Sequence, residues 1–167
     1  MAYEFYVSIE GAKQGKFKGE SPKKEQAQKI PGLGFQYEVI SPRDPASGQH
    51  SGKRQHRPIS FVKEWGAATP QLFQALVENE VLKTVKFEFL QTDQTGKQGV
   101  YFTIDLTNAS VCDIKQSSGT ADGADSAKHT SSQGSKELET ISLTFQKITL
   151  TYLKDKTAAM DDWVSSQ

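Results

Sequence analysis

The sequence predicts a single, mainly β domain with one α-helix. Three observations predict it: segment after segment in which apolar and polar residues alternate, one stretch with a helix start signal and no breaker, and a final strand too long for a small flat sheet. The 167 residues fit one domain of ordinary size, taken over 1–167, and no internal repeat or linker divides them.

Taken in order, Tyr3, Phe5, Val7 and Ile9 alternate with Glu4, Tyr6, Ser8 and Glu10, the pattern of a half-buried first strand. A Gly/Lys-rich connection over 11–19 follows. Phe35-Gln36-Tyr37-Glu38-Val39-Ile40 reads as a second strand that stops at Ser41-Pro42. The next segment, 41–56, is strongly polar, and its prolines and glycines are expected to forbid a regular element. Loops of this length inside a compact domain are usually functional or disordered. Pro58-Ile59-Ser60-Phe61-Val62-Lys63 resumes a strand.

The helix is expected over about 69–79, with Thr69 as N-cap and Pro70 at the first helical position. Leu72, Phe73, Leu76 and Val77 are expected to form the face laid on the sheet. Val85, Phe87 and Phe89, then Val100, Phe102, Ile104 and Leu106, read as two strands of an antiparallel hairpin across the turn Asp93-Gln94-Thr95-Gly96. The segment 117–135 is rich in Ser, Gly, Thr, Ala and Asp, has no large apolar residue, and reads as a flexible loop.

In the final strand Ile141, Leu143 and Phe145 point one way, while Ile148, Leu150 and Tyr152 continue on even numbers. A strand repeats every two residues, so the parity change requires a bulge near Gln146-Lys147 or a switch of buried face. At ~3.3 Å per residue the segment 141–153 would run roughly 43 Å. Such a strand suits a curled or barrel-like sheet.

Composition narrows the function classes. Twenty Lys and Arg balance 20 Asp and Glu, with Lys53, Arg54, His56 and Arg57 as the only basic cluster. Phosphate contacts supply most nucleic-acid affinity, so a balanced chain gives no reason to expect nucleic acid or an anionic membrane surface. The single cysteine, Cys112, makes no intrachain disulfide and reads as a buried, inert thiol in Ala109-Ser110-Val111-Cys112. No apolar run approaches the ~18 residues of a transmembrane helix, and the first residues have neither the basic nor the apolar region of a signal peptide. Cytoplasmic synthesis is expected, with any export by a route other than the general secretory one. No fused domain is expected past the last strand.

For chemistry, Asp44, His50 and His56 supply the ligand types of a zinc or non-haem iron site. They lie on a Pro/Gly-rich loop, whereas metal ligands normally sit on rigid elements with supporting partners, so solvent-facing or interface residues are the plainer reading. A Ser/His/Asp triad is available by chance among many serines and three histidines, but no Gly-x-Ser-x-Gly elbow is present. A metal-dependent or triad hydrolase built on His50 and His56 is the alternative function. No glycine-rich phosphate cradle is present, so no cofactor is expected. Asp161-Asp162 reads as part of a solvated tail. Tyr6, Trp65 and Tyr101 fall on or beside polar phases, and exposed aromatics grouped on a β surface would favour a protein contact.

The run Gly52-Lys53-Arg54-Gln55-His56-Arg57-Pro58-Ile59, then Val62-Lys63-Glu64, then Thr69-Pro70-Gln71-Leu72-Phe73-Gln74-Ala75-Leu76, resembles the signature region of the Hcp family of bacterial type VI secretion. So do the segment Ile141-Ser142-Leu143-Thr144-Phe145-Gln146-Lys147-Ile148 and the early strand leading to Gly32-Leu33-Gly34-Phe35. The resemblance spans essentially the whole chain, with 54–76 its most specific part. It implies a two-sheet β-barrel with one flanking helix, akin to phage tail-tube proteins. It implies hexameric rings that stack into a tube, propelled by a contractile sheath behind a spike, with a lumen that can carry small effector proteins. It implies that the loop 41–56 reaches neighbouring subunits and the next ring, which makes Pro42, Arg43, Asp44, His50, Lys53, Arg54, Gln55 and His56 the expected contact residues. It implies no enzyme activity. A low apolar fraction of 35% and a mean hydropathy of -0.58 suit a subunit with two wet faces.

Overall fold

The computed structural model describes residues 4–118 and 137–163. Among these lie twelve strands and one α-helix. The strands are β1 (Glu4–Gly11), β2 (Gly15–Lys16), β3 (Ile30–Gly32), β4 (Gly34–Gln36), β5 (Val39–Ile40), β6 (Gln55–His56), β7 (Ile59–Glu64), β8 (Leu82–Thr92), β9 (Gln98–Ser117), β10 (Leu138–Thr144), β11 (Lys147–Tyr152) and β12 (Thr157–Asp162); the helix is α1 (Thr69–Val77). The loop expected over 117–135 falls, from 119 on, outside the described residues.

The predicted mainly β architecture is what forms. Strand β9, 20 residues long, belongs to two sheets. Its first half pairs with β8 and β11, and its second half with β10. One sheet continues from β8 to β1 and then to β2 and β3; the other continues from β10 to β7 and β4. The ladder is an open path and not a closed barrel. Its two ends are nevertheless reached by one continuous segment, 30–36, which pairs with β1 through β3 and with β7 through β4. At the crossing, Leu33 N donates to Val62 O at 2.7 Å. Gly32 permits the close approach, because a Cβ there would lie 2.0 Å from the Phe5 ring.

Alternation predicted most of the core. Phe5, Val7 and Ile9 of β1, Val85 and Phe87 of β8, Ile104 and Leu106 of β9, and Ile141 and Leu143 of β10 are buried together. Phe35 meets Phe87 and Phe89 edge-on at 5.2 Å, and Phe61 meets Phe87 at 5.6 Å. Edge-on pairs of this kind add about 0.5–1.5 kcal/mol each beyond the area they bury.

Several expectations are corrected. Tyr6 is buried, not exposed: it sits between register partners Pro31 of β3 and Glu88 of β8, and its hydroxyl donates to Glu4 Oε2 at 3.1 Å. Cys112 is exposed, because β9 turns Val111 inward and Cys112 outward. Its thiol donates to the Ser142 carbonyl at 3.3 Å, and partial desolvation together with Asp113 pushes its pKa up. The expected second strand, 35–40, is split between β4 and β5, which lie in different sheets.

Thr69 is the first residue of α1 and not its cap, which is Ala68. The Thr69 hydroxyl instead donates to Glu139 Oε1 at 2.7 Å. It belongs to a buried ionic cluster in which Lys63 Nζ lies 2.6 Å from Glu139 and 3.0 Å from Glu20. Glu20 also accepts the Ala68 backbone N–H at 2.8 Å, so the cluster ties the helix start to β7 and β10. The buried helix face is Leu72 and Ala75, with Leu76 packed beside them, while Phe73 and Val77 are 59% and 56% exposed. Each residue turns the helix by about 100°, so Phe73 and Val77 fall off the narrow buried arc.

The parity change in the last segment is a break between β10 and β11 at Phe145 and Gln146. Opposite it, Asn108 takes a φ of 51°, and Gln146 N donates to the carbonyls of Thr107 and Asn108. Beyond the break the chain forms β12, so Asp161 and Asp162 end a strand and do not lie in a solvated tail. Thr157–Asp162 carries too little apolar surface to announce a strand, and its ladder with β11 supplies the order instead.

Candidate functional site

As expected, 41–54 contains no regular element, yet the segment is held in shape by pairing at its root and by local bonds at its tip. Val39 pairs with His56 and Ile40 with Gln55, so β5 and β6 form a two-stranded ribbon. An isolated bridge joins Arg43 to His50, and Ser51 N donates to Pro42 O at 2.9 Å. At the tip, Asp44 N donates to Gln49 O and Gly48 N to Asp44 O, both at 2.8 Å, with Gly48 at a φ of 72° that glycine adopts without strain. The Asp44 carboxylate accepts the Ala46 N–H at 3.0 Å and the Ser47 hydroxyl at 2.8 Å, which hold its carboxyl below the usual carboxylate range. Along 41–55 no residue is buried, and the enclosed side chain of the segment is that of His56 at its root. The prolines and glycines rule out a long ladder but allow a short ribbon whose tip is closed by local hydrogen bonds. The result is an ordered arm projecting from the domain.

Its root is clamped to the C-terminal strand. The His56 side chain is only 5% exposed. Its ring stacks on Trp163 at 5.4 Å and on Tyr37 at 6.2 Å, and meets Phe145 edge-on at 5.3 Å. Its Nδ1 lies 2.7 Å from the Tyr37 hydroxyl and its Nε2 lies 2.6 Å from Asp161 Oδ2. Facing a carboxylate, which only accepts, Nε2 is the donor to Asp161, and Nδ1 shares its hydrogen bond with the Tyr37 hydroxyl. The same Asp161 oxygen accepts from Arg54 Nε, and Arg54 also donates to the Asp162 carbonyl at 3.3 Å. The Arg54 guanidinium, then the His56 ring, hold the Asp161 carboxyl below its ordinary range, while burial opposes them. Tyr37 is pushed up by burial and by the Asp161 charge.

The residues singled out from sequence thus divide into two groups. Arg54 and His56 meet at the root, and Gln55 pairs with Ile40 beside them. Pro42, Arg43, Asp44 and His50 build the tip, and Lys53 is exposed on the return path. His50, His56 and Asp44 do not converge. Both His56 nitrogens are engaged by Tyr37 and Asp161, and Asp44 closes its own turn. Among the described residues no cluster of three or more His, Cys, Asp or Glu has the geometry of a metal site. Sequence reasoning missed Tyr37, Phe145, Asp161 and Trp163. The one available signal was a tryptophan isolated in a polar stretch.

The run identified as the signature region spans the arm's return strand β6, then β7 and α1. A model of the family described as type VI secretion system effector, Hcp, matches residues 6–152. The chain belongs to the Hcp family. A major exported protein of Pseudomonas aeruginosa is 34% identical to this Hcp chain over 174 residues, covering 99% of the chain and 98% of the relative. The crystal structure of an Hcp protein superposes with a TM-score of 0.85 at 28% identity, covering 97% of this chain and 98% of that one. The secreted protein Hcp3 from Pseudomonas aeruginosa gives 0.77 at 28% identity, over 98% of this chain and all of its own. A double mutant of Hcp1 from E. coli EAEC 042 shares the fold, with a TM-score of 0.82 at 23% identity over 97% and 99% of the two chains. Family membership makes the chain a type VI secretion component.

Proposed function

We propose that this Hcp chain is the structural subunit of the secretion tube. It forms hexameric rings that stack, leaves the cell through the type VI machine, and has no catalytic step. The observation that carries the reading is the arm: a segment exposed along nearly all its length is nonetheless ordered, closed at its tip and clamped at its root by Arg54 and the enclosed His56. Ordering a chain costs roughly 1–2 kcal/mol per residue in backbone entropy. Ordering that contributes no core suits a preformed contact, because preorganisation lowers the cost of association. Within the assembly, the sheath and spike are partners outside and at the tip, and small effector proteins are cargo in the lumen.

Six chains of 18.4 kDa give a ring of about 110 kDa, which light scattering on a sizing column and negative-stain images test together. Replacing 42–55 by a short Gly/Ser turn is expected to leave the fold and the ring intact and to abolish stacking. A shortened chain that no longer folds, or one that still stacks, would refute the arm's role.

A further inference from the structure

Among the described residues the ribbon β5–β6 pairs with no other strand. It joins the domain through Tyr37, after β4, and through Arg57 and Pro58, before β7. A two-stranded ribbon alone is marginally stable, so nothing in its own ladder fixes how it leans on the domain. The direction of the arm is decided by side chains at its root.

Arg54 and His56 stand two apart on the return path of the arm. Asp161 and Trp163 stand two apart at the end of β12 and just past it. Residues two apart on extended chain share a face, and the two pairs face each other. Both arm residues bond to Asp161 Oδ2, His56 from Nε2 at 2.6 Å, and the His56 ring stacks on Trp163. The stack alone would let the ribbon turn over the indole, because apolar contact is non-directional. Hydrogen bonds weaken steeply as they bend, so two of them converging on one oxygen hold the ribbon at one angle.

The platform under this contact is itself fixed. Asp161 is the register partner of Ile148 in β11, and Trp163 N donates to Gln146 O at 3.1 Å. Yet β12 buries no residue of its own. A strand that adds nothing to the core and grips the root of the arm serves to position it.

We propose that Asp161 is a positioning residue: it latches the arm to β12 and sets the direction of the tip before rings meet. The consequence for stacking rests on the tube-subunit reading, whereas the direction of the arm does not. Apparent affinity falls with the fraction of time the binding-competent form is populated, so an unlatched arm weakens stacking without touching the contact itself.

Single-molecule energy transfer, at concentrations where the chain is unassembled, reads the direction. The full chain carries Cys112→Ser, with dyes on Ala46→Cys at the tip and Lys83→Cys on β8; positions 46 and 83 are exposed. One narrow transfer peak is expected, and Asp161→Ala is expected to broaden or split it. A residue that only adds stability would lower the melting temperature and leave the peak of the folded chain narrow, which overturns the proposal. Arg54→Ala reaches the same contact from the arm and is expected to broaden the peak as well, so it also serves where Asp161→Ala does not fold. Added to Asp161→Ala it is expected to change nothing further, because the contact is already gone, and broadenings that add would overturn the latch. Without dyes, Asp161→Ala is expected to keep the rings seen in micrographs and to raise the concentration needed for stacking about tenfold, as an arm directed correctly one-tenth of the time would. Loss of the rings themselves would place Asp161 in the lateral contact and overturn its role here. A broadened peak with native stacking keeps the latch and refutes the arm's part in the tube-subunit reading; a narrow peak refutes the latch whatever the rings do.

Discussion

A single side chain, His56, connects every part of the arm's root. Removing its ring in His56→Ala strips the stack from Tyr37 and Trp163 and leaves the Tyr37 hydroxyl and the Asp161 carboxylate without that partner. A cost of about 1–2 kcal/mol is expected in denaturant unfolding, with Trp163 fluorescence reporting the change at the root. Asp161 adds a pH dependence whose sign is fixed. Its folded pKa is lowered, chiefly by Arg54, so its contribution is complete above the ordinary carboxylate value of 3.8 and disappears as pH falls through the folded value. The stability gap between the native chain and Asp161→Asn is therefore expected to be full at neutral pH and to close in acid. A gap that persists well below pH 3 would contradict this role. Little of it was legible in the sequence. His56 stood out in a polar run with His50 and Asp44, but its partner Asp161 lies 105 positions away, and a hydrogen bond at that separation leaves no local pattern.

Elements whose order comes from burial were legible, and those ordered by pairing alone were not. Strands β1, β8, β9 and β10 each bury apolar residues two apart over at least part of their length, so period two marked them. Strand β12 buries nothing, β5 and β6 are two residues each, and all three are held by ladders that sequence periodicity does not encode. The helix shows how a correct element can carry a wrong face. Four apolar residues within one turn and a half offered two possible arcs, and the sheet takes the one through Leu72, Ala75 and Leu76. Leu72→Ala is thus expected to cost about 2–5 kcal/mol, as a buried truncation does, whereas Phe73→Ser is expected to stay within about 0.5 kcal/mol. Thermal or denaturant melts of the two variants measure this directly. A large loss from Phe73→Ser in an unassembled chain would restore the face read from sequence.

At the scale of the whole molecule, balanced charge sets how subunits meet. With 20 cations and 20 anions the chain has no net field to steer or repel a partner, so electrostatics must act through local patches. The arm is one such patch, with Arg43, Lys53 and Arg57 exposed to solvent. Exposed charges are screened over about 10 Å at 0.1 M salt and over about 3 Å at 1 M. The fold itself rests on apolar burial and on the enclosed Lys63 cluster, which salt screens far less. Raising the salt concentration from about 0.05 M to about 0.5 M is therefore expected to depress stacking several-fold while leaving the melting temperature of the unassembled subunit nearly constant. Sedimentation velocity across a salt series, paired with melts of the arm-shortened chain, reads the two effects separately. An apolar contact would behave oppositely, since salting-out strengthens burial. Stacking that grows with salt would mean that the charges of the arm have no part in holding rings together.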